Sequence, residues 1–418
     1  MTNNVLGVTL TDDQNAANEA FSAFLIDPDA SVFVLSGYSG CGKSTLIRII
    51  MDEMPKTMKA IQLIQPRYRE YDIALTATTN KAAENLSQIT GMEVKTIHSY
   101  LSLRVNTDYR TGVTTLTPRK HEPLQRKFIF IDEASYIDSS LLDFIFQLTN
   151  DCKIVFIGDP AQLTPVKLNV APVFQAGFQG AALTQVVRQA EGNPIIDLST
   201  KFRHAVNTGE FFNFVPDGHH IQRLGRGEFN DMVVNEFSRP DWKYEDSKLL
   251  AWTNKRVVEY NHYIREHAHG EPELAVGDYA IVNSYVQIGQ QKLKTDQLVQ
   301  ITQIQNTHHR CGALGKSFTV DGHSSWFMPD SIAIRKAAIK QAKANDDYML
   351  LEAIENTWID LRAAYATTVN KSQGSTYGSV FIDLDDIARC NSGNQIARML
   401  YVAVSRAKNH VFLTGDIG

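Results

Sequence analysis

One short segment of this 418-residue chain combines closely spaced glycines with a lysine and a hydroxyl group. Gly37, Gly40 and Gly42 lead into Lys43 and Ser44, which matches the pattern G-x-x-x-x-G-K-[ST]. Such glycines let backbone N–H groups surround a phosphate, and the N-terminus of a following helix adds positive potential. We therefore expect a phosphate-binding loop. In it, Lys43 would neutralise the β- and γ-phosphates of a nucleotide, and Ser44 would ligate Mg²⁺.

Two acidic residues and a glutamine follow later apolar runs. Asp132 can hold the hydrated Mg²⁺, and Glu133 can polarise the attacking water. Gln162, in the segment Gly158-Asp-Pro-Ala-Gln, can contact the γ-phosphate and report its loss. Adjacent acids alone are weak evidence, and Gly-Asp-Pro alone is an ordinary turn. Their order after the phosphate-binding loop predicts a nucleotide-hydrolysing site.

A missing carboxylate disfavours a guanine nucleotide without excluding it. GTP-specific proteins commonly carry N/T-K-x-D, whereas the segments that start at Asn80 and Asn254 read NKAA and NKRV. Both lack the Asp that would read guanine. We therefore expect ATP, together with Mg²⁺.

Apolar, β-branched runs alternate with helix-like segments and would position these residues. Four runs predict buried parallel strands: 32–35, 73–75, 128–131 and 154–157. Strand–helix alternation predicts a doubly wound α/β core, whose functional residues lie at the carboxyl ends of the strands. Alternation resumes near residue 361 and closes with runs at 380–382 and 411–413, which indicates a second α/β core.

Two stretches interrupt this alternation. Residues 101–127 are polar and β-prone around a turn at 110–112, and they carry six basic against two acidic residues, a net charge of +4. A projecting hairpin is expected, although its charges could simply be a solvated face. The strings YAIVNSYV, QLVQITQI, SFTV and SIAIR between residues 276 and 358 predict short strands of a small β-barrel.

Composition excludes several classes of protein. The chain is 43% hydrophobic and 21% charged, with a net charge of −5, so any nucleic acid must bind a local groove. No apolar run approaches the roughly 20 residues of a membrane span, and the N-terminus lacks the pattern of a secretory signal. The four cysteines form no CxxC pair, which argues against zinc and suits a reducing cytoplasm.

Further short segments occur in a fixed order between residues 10 and 408. They are LTDDQ (10–14), ATTNKA (77–82), TIHS (96–99), LTQVVR (183–188), AWTNK (251–255), TTVNKSQG (367–374) and LYVAVSR (400–406). Together with the nucleotide segments, they resemble the motifs of superfamily 1 DNA helicases, most closely the RecD-like (1B) branch and its phage Dda-type members. Thr78 stands where the closest relatives usually have Pro, and Asn370 where they usually have His.

The resemblance implies an architecture of two RecA-like P-loop NTPase cores with two insertions. The first core would comprise residues 1–100 and 123–180, with a wedge or pin hairpin at 101–122. The second would comprise residues 181–275 and 359–418, with a small SH3-like β-barrel at 276–358. The barrel would brace the second core and help to guide DNA.

The resemblance also implies roles for residues at these positions. Those expected in catalysis are Lys43, Glu133, Gln162, Arg188 and Arg406, the two arginines reaching the γ-phosphate across the cleft as arginine fingers. Those expected to bind nucleotide are Gln14 as adenine reader, Gly37, Gly40, Cys41, Gly42, Lys43, Ser44, Thr45 and Gly374, with Ser44 and Asp132 on the metal. Those expected to bind DNA are Thr79, Asn80, Lys81, His98, Asn254, Thr368, Asn370 and Lys371.

The function implied by the resemblance is an ATP-dependent DNA helicase. It would translocate 5′–3′ on single-stranded DNA and unwind duplex DNA at forks during phage replication or recombination. It would act in the cytoplasm, the host's if phage-encoded, without a membrane partner. A monomer is compatible with this function, and a single-strand-binding protein is a further candidate partner.

Several alternatives stay open on the sequence alone. A translocase that strips bound proteins, or a P-loop signalling or kinase protein, would share the nucleotide segments. His98 could instead make local hydrogen bonds at a helix start. Trp252 could stack on a base or could be a core residue. Cys41, between two glycines beside a cationic loop, is expected to have a partly activated thiol.

Overall fold

The computed structural model describes residues 4–5, 8–65, 68, 70–107, 114–119, 122–165, 168, 170–185, 192–308, 311–322 and 325–417. The chain divides into two compact units. The first comprises Met1–Val215 and Cys390–Ser405, and the second comprises Pro216–Arg389 and Arg406–Gly418. None of the helices in these ranges is both long enough and apolar enough to cross a membrane.

The first unit is an α/β fold. Its strands are β1 (Asn4–Val5), β2 (Val8–Thr9), β3 (Val32–Gly37), β4 (Asp72–Ala77), β5 (Val94–Thr96), β6 (Leu103–Thr107), β7 (Thr114–Pro118), β8 (Leu124–Gln125), β9 (Lys127–Asp132), β10 (Thr149–Asn150), β11 (Lys153–Gly158) and β12 (Gly180–Leu183). Its helices are α1 (Asp12–Ile26), α2 (Lys43–Ile64), α3 (Asn80–Thr90), α4 (Ile97–Tyr100), α5 (Ser139–Gln147), α6 (Pro194–Thr208) and, late in the chain, α12 (Gly393–Ser405).

A six-stranded parallel sheet in the order β12-β3-β11-β9-β4-β5 forms the centre of this unit. The four predicted strands are confirmed as β3, β4, β9 and β11. β9 and β11 are almost wholly buried because helices cover both faces of the sheet. The strands β6 and β7 pair in antiparallel register, as expected for a hairpin, and its turn at 108–113 lies outside the described residues.

A buried lysine ties the first helix to this sheet. Lys153, at the start of β11, is 2% exposed, and its ammonium donates to the carbonyls of Phe24, Asp27 and Ala30 at 2.6 to 2.9 Å. Burial lowers the pKa of Lys153 to about 8. These contacts hold the C-terminal end of α1 against the beginning of the strand.

The second unit contains a second parallel sheet and an antiparallel insertion. Its strands are β13 (Ile221–Leu224), β14 (Ser247–Ala251), β15 (Tyr279–Val282), β16 (Val286–Ile288), β17 (Gln291–Leu293), β18 (Leu298–His308), β19 (Leu314–Val320), β20 (Ser325–Pro329), β21 (Leu361–Ala363), β22 (Ala366–Thr368), β23 (Tyr377–Asp383) and β24 (Ala407–Thr414). Its helices are α7 (Arg226–Phe237), α8 (Asn254–His269), α9 (Ile332–Ala344), α10 (Tyr348–Thr357) and α11 (Leu384–Ile387). The parallel sheet has the order β13-β24-β23-β14-β22.

The antiparallel insertion differs in detail from the prediction. Its five-stranded sheet has the order β20-β19-β18-β15-β21, so it extends past the predicted end at residue 358 to include β21. The string SIAIR was predicted to be a strand, and this is wrong. Ser331 caps helix α9 by accepting a hydrogen bond from Ile334 N, and the alanine- and lysine-rich run that follows favours a helix.

The division into units also differs from the predicted boundary at residue 181. β12 pairs with β3 in the first sheet, and both α6 and α12 belong to the first unit. The two helices pack against each other although almost 200 residues separate them in the chain. A late segment that returns to the first unit has no local signature in the sequence.

Candidate functional site

The phosphate-binding loop joins β3 to α2. Gly40 and Gly42 have left-handed backbone conformations, with φ of 84° and 77°, which glycine adopts at little cost. The ammonium of Lys43 donates to the carbonyls of Gly37 at 2.6 Å and Tyr38 at 3.0 Å. Ser44 and Thr45 occupy the first turn of α2. The predicted loop, its glycines and the helix start that favours phosphate are therefore all present in the structure.

Two of the predicted nucleotide-binding residues have additional structural partners. Gln14 is 2% exposed; its amide nitrogen donates to the Cys41 carbonyl at 3.2 Å, and its amide oxygen accepts from Thr11 N. It braces the loop. Cys41 is 1% exposed, and burial raises the pKa of its thiol despite the nearby charge of Lys43. The expectation of an activated thiol is wrong, because burial dominates over the cation.

The ends of four neighbouring strands bring the nucleotide segments to one edge of the sheet. The order β3-β11-β9-β4 is parallel throughout, and the register pairs Gly158 with Ser36 and Ala77 with Asp132. Gly158 has little room for a side chain, since an added Cβ would lie 3.1 Å from Ala134 N, which is closer than most real Cβ contacts. The loop, the acidic pair and the Gln162 segment therefore meet where an α/β sheet binds ligands.

The acidic pair has a constrained backbone. Glu133 has a left-handed φ of 54°, and its N–H donates to Asp132 Oδ1 at 2.8 Å. Burial raises the pKa of the Asp132 carboxyl, while the Glu133 N–H and the charge of Lys43 act in the opposite direction. A half-buried carboxylate close to Lys43 suits Mg²⁺, which prefers one or two carboxylates together with water and phosphate oxygens. Asp132 and the hydroxyl of Ser44 fit that donor set.

Thr78 holds the acidic pair from the neighbouring strand. Its N–H donates to the Asp132 carbonyl at 3.1 Å, and its hydroxyl donates to the Glu133 carbonyl at 2.9 Å. A proline at this position could make neither bond. The departure from the family pattern therefore adds two hydrogen bonds at the acidic pair, one of them to Glu133, the expected general base.

Replacing Thr78 by Val is expected to lower the turnover of ATP up to about tenfold with little change in the KM for ATP. The substitution removes the hydroxyl at nearly constant volume, so the Glu133 carbonyl loses a donor while the phosphate-binding loop is untouched. Steady-state ATPase kinetics would measure this, and Thr78→Ser, which retains the hydroxyl, is the matched control. Equal turnover in the Val and Ser variants would contradict this role of Thr78.

The Gln162 segment contacts two residues that sequence reasoning did not single out. The Gln162 carbonyl accepts from Arg398 Nη1 at 2.5 Å, and the Asp159 carboxylate accepts from the Tyr401 hydroxyl at 2.6 Å. Both partners lie on α12. Their spacing of three marks them as one helical face, but it does not reveal what that face touches.

The DNA-binding candidates of the first unit follow β4 and β5. The hydroxyl of Thr79 caps α3 by accepting from Ala82 N at 3.2 Å, and Asn80 and Lys81 form the first turn of that helix. Lys81 pairs with Glu84 at 3.3 Å. His98 lies in α4, and its burial lowers the pKa of the imidazole.

The candidates of the second unit lie at the adjoining ends of β14 and β22. The register pairs Ala251 with Thr368. Asp386 accepts hydrogen bonds from the N–H groups of Trp252 and Thr253, at 2.8 and 2.7 Å, and from the Thr253 hydroxyl. Trp252 is half-buried, and Asn254 follows it as an exposed residue at the start of α8.

Thr368 and Lys371 are joined locally, since Lys371 N donates to the Thr368 hydroxyl at 3.3 Å. Lys371 also forms an ion pair with Asp296 at 2.7 Å. Asn370 is exposed between them, and Gly374, predicted to bind nucleotide, has a left-handed φ of 76°.

Of the two predicted arginine fingers, Arg406 lies among the described residues. Arg406 is 5% exposed and donates to the Ser375 carbonyl at 3.2 Å, while its own carbonyl accepts from Tyr377 N. Arg188 lies outside the described residues.

Known proteins resemble both parts of the chain. Residues 9–225 match the family model described as AAA domain, and residues 363–414 match that of the UvrD-like helicase C-terminal domain. The chain is 30% identical over 244 residues to the ATP-dependent DNA helicase dda of Enterobacteria phage T4, covering 56% of this chain and 51% of that protein. It is 24% identical over 392 residues to the ATP-dependent RecD2 DNA helicase of Deinococcus radiodurans, covering 92% of this chain and 47% of that protein.

Solved structures of Pif1 helicases share the fold. A structure of two Pif1 helicases at forked double-stranded DNA gives a TM-score of 0.56 at 17% identity, covering 97% of this chain and 92% of that one. Pif1 from Bacteroides in complex with ADP-AlF3 and single-stranded DNA gives 0.54 at 16% identity, covering 98% and 93%. The chain spans about half of the length of the two curated relatives.

Proposed function

Because this chain belongs to the RecD- and Pif1-like (1B) branch of the superfamily 1 helicases, we propose that it uses ATP to move along single-stranded DNA and to unwind duplex DNA. The observation that carries the proposal is the sheet edge where the phosphate-binding loop, the acidic pair and the Gln162 segment meet on adjacent strands. A phosphate-binding loop alone would suit many nucleotide-binding proteins. The acidic pair beside it supports hydrolysis.

In the proposed reaction, the loop amides and Lys43 bind the β- and γ-phosphates of ATP. Glu133 accepts a proton from the attacking water, which it orients towards the γ-phosphorus. Ser44 and Asp132 would hold Mg²⁺, which would neutralise charge on the phosphates. Gln162 contacts the γ-phosphate, and Arg188 and Arg406 stabilise the charge of the transition state as arginine fingers. Loss of the γ-phosphate then shifts the conformation of the protein and moves the DNA.

In the proposed DNA path, short polar side chains and a few cations bind the phosphates of a single strand. The first unit contributes Thr79, Asn80, Lys81 and His98, and the second contributes Asn254, Thr368, Asn370 and Lys371. Asp386 supports this assignment because it fixes the backbone immediately before Asn254. Movement from 5′ to 3′, action in the cytoplasm and a single-strand-binding partner belong to the proposal as what the resemblance of the motifs implies. The phage helicase among the relatives suggests a role in phage replication or recombination.

Measuring ATP hydrolysis with and without a single-stranded oligonucleotide tests the proposal. We expect strong stimulation by the strand, together with ATP-dependent unwinding of a forked duplex. A rate indifferent to the oligonucleotide would instead favour a signalling or kinase protein. Stimulation without unwinding would favour a translocase that displaces bound proteins.

The antiparallel insertions are assigned to the separation of strands. The β6–β7 hairpin would be the wedge at the fork, and the sheet around β18 would close into an SH3-like barrel that braces the second core. The hairpin's positively charged surroundings support contact with DNA phosphates.

Deleting residues 109–113, between β6 and β7, is expected to impair unwinding of a fork while translocation along a single strand is retained. The deletion removes the segment between the two strands, which the proposal places at the fork. Fork unwinding and displacement of streptavidin from a biotinylated single strand would measure the two activities separately. Equal loss of both would show that the hairpin is a structural element.

Replacing Asp296 by Asn is expected to increase affinity for single-stranded DNA by roughly two- to fivefold. The Asp296 carboxylate forms an ion pair with the ammonium of Lys371 at 2.7 Å. A DNA phosphate must therefore compete with this carboxylate. Binding of a labelled oligonucleotide at several salt concentrations would measure the change. Asp330→Asn, an exposed position in the same insertion, controls for the altered net charge. An equal gain in both variants would contradict the competition.

A further inference from the structure

Helix α12 binds the segment that follows β11 through one of its faces. Gln395, Arg398 and Tyr401 are spaced by three residues and therefore point to the same side of the helix. The amide of Gln395 donates to the Thr164 hydroxyl at 3.3 Å and to the Leu168 carbonyl at 3.2 Å. These bonds attach the residues that follow the Gln162 segment to the helix.

Arg398 attaches the middle of the same segment. One guanidinium nitrogen donates to the carbonyls of Pro160 at 2.7 Å and Gln162 at 2.5 Å, and Arg398 is 3% exposed. The Nε of Arg398 donates to Asn394 Oδ1 at 2.8 Å, which orients the guanidinium within the helix. A movement of the Gln162 backbone would therefore displace a buried cation of α12.

The hydroxyl oxygen of Tyr401 contacts both the phosphate-binding loop and the Gln162 segment. Its hydroxyl donates to Asp159 Oδ2 at 2.6 Å and accepts from the N–H of Ser39, in the phosphate-binding loop, at 2.9 Å. Asp159 is fully buried, and its other oxygen accepts from Ala161 N at 2.9 Å. Burial and the adjacent Asp159 carboxylate raise the pKa of the Tyr401 hydroxyl, which therefore remains a donor.

Helix α6 contacts Tyr38, the loop residue immediately before Ser39. Arg203 of α6 stacks over the Tyr38 ring, with 3.9 Å between the guanidinium carbon and the ring centroid. Since α6 and α12 pack against each other, consecutive residues of the loop are held by a pair of helices. The phosphate-binding loop is thus fastened on the side of α12 as well as on its own sheet.

We propose that Tyr401 and Asp159 form a positioning pair that couples the phosphate-binding loop to the Gln162 segment and passes the difference between ATP and ADP to helix α12. Because the hydroxyl bonds to both loops, it sets the distance between them. A movement of one loop when the γ-phosphate is lost therefore displaces the other loop. Helix α12 ends at Ser405, immediately before Arg406 in the chain. This inference rests on the proposed function, since it assigns a route for the nucleotide signal within that motor.

Tyr401→Phe tests the pair by removing one oxygen atom. We expect the DNA-stimulated kcat to fall by roughly ten- to a hundredfold, because a buried carboxylate and a loop N–H both lose their partner. We also expect the ratio of the affinities for a non-hydrolysable ATP analogue and for ADP to move towards one. Asp159→Asn, which keeps the size of the side chain, should change the same two quantities in the same direction.

Tyr68→Phe is the matched control. It removes a half-buried hydroxyl in the same unit, which donates to the Leu25 carbonyl at 3.0 Å away from both loops. Similar melting temperatures for the two Phe variants would show that any difference in nucleotide discrimination is not a difference in folding. A Tyr401→Phe protein that discriminates ATP from ADP and responds to DNA as the unmodified protein does would overturn the inference. Absence of DNA stimulation in the unmodified protein would instead refute the proposed function.

Discussion

Replacing Glu133 by Gln is expected to slow ATP hydrolysis by roughly a hundredfold or more while ATP binding is retained. Gln has nearly the same shape but cannot accept a proton from water. The structure makes the comparison clean because the backbone of Glu133 is held by two neighbours: its N–H bonds to Asp132 and its carbonyl to Thr78. Single-turnover hydrolysis with and without single-stranded DNA, together with the binding of a fluorescent ATP analogue, would measure both effects.

The control for this experiment is Glu93→Gln, which makes the same chemical change at an exposed position of the same unit. It should hydrolyse ATP at the unmodified rate. A Glu133→Gln protein that keeps more than about a tenth of the turnover would exclude Glu133 as the base, because general-base catalysis contributes at least about a hundredfold. Loss of ATP binding in that variant would show that the residue supports the loop instead.

Replacing Arg406 by Ala is expected to lower DNA-stimulated ATP hydrolysis by roughly 10³- to 10⁵-fold, the range found for an arginine that stabilises phosphoryl transfer. Binding of single-stranded DNA should survive. The Ser375 carbonyl would lose a donor, whereas the bond from Tyr377 N to the Arg406 carbonyl would remain because it involves only the backbone. ATPase assays and oligonucleotide titration of the same preparation would separate the two activities.

Two variants make the arginine experiment specific. Arg406→Lys keeps the positive charge but loses the planar, five-donor guanidinium, so it should recover only part of the rate. Arg223→Ala removes an exposed arginine of the same unit that pairs with Asp416 at 3.0 Å, and it should have little effect. Turnover in Arg406→Ala comparable to that of the unmodified protein would exclude the finger role.

The phosphate-binding loop and the acidic pair were predictable because their information is local. The spacing from Gly37 to Ser44 and an acid pair ending an apolar run both lie within a few residues of the chain. The carboxyl ends of parallel strands lie at the same edge of a sheet. The location of the site could therefore be predicted, although its detailed geometry could not. The confirmed strands β3, β4, β9 and β11 follow from the same kind of signal.

Other features depended on tertiary contacts. The charge of Lys43 and the flanking glycines predicted a lowered pKa for the Cys41 thiol, but burial raises this pKa instead. The isoleucines of SIAIR suggested a strand, but a serine cap and helix-forming residues after it favour α9. The ion pair between Lys371 and Asp296 joins residues 75 positions apart, so no local pattern could indicate that a candidate DNA-binding cation is already paired.

The sequence by itself therefore determined the chemistry that we propose for this protein: a loop to bind phosphates, one acid to bind a metal and one to polarise water. Only the tertiary structure decided which side chains hold those groups in place. Thr78 reaches Glu133 across 55 residues, and Tyr401 reaches Asp159 across 242. The physical reason is that secondary structure and phosphate binding arise from neighbouring residues, whereas the partner of a buried hydroxyl depends on how distant elements pack.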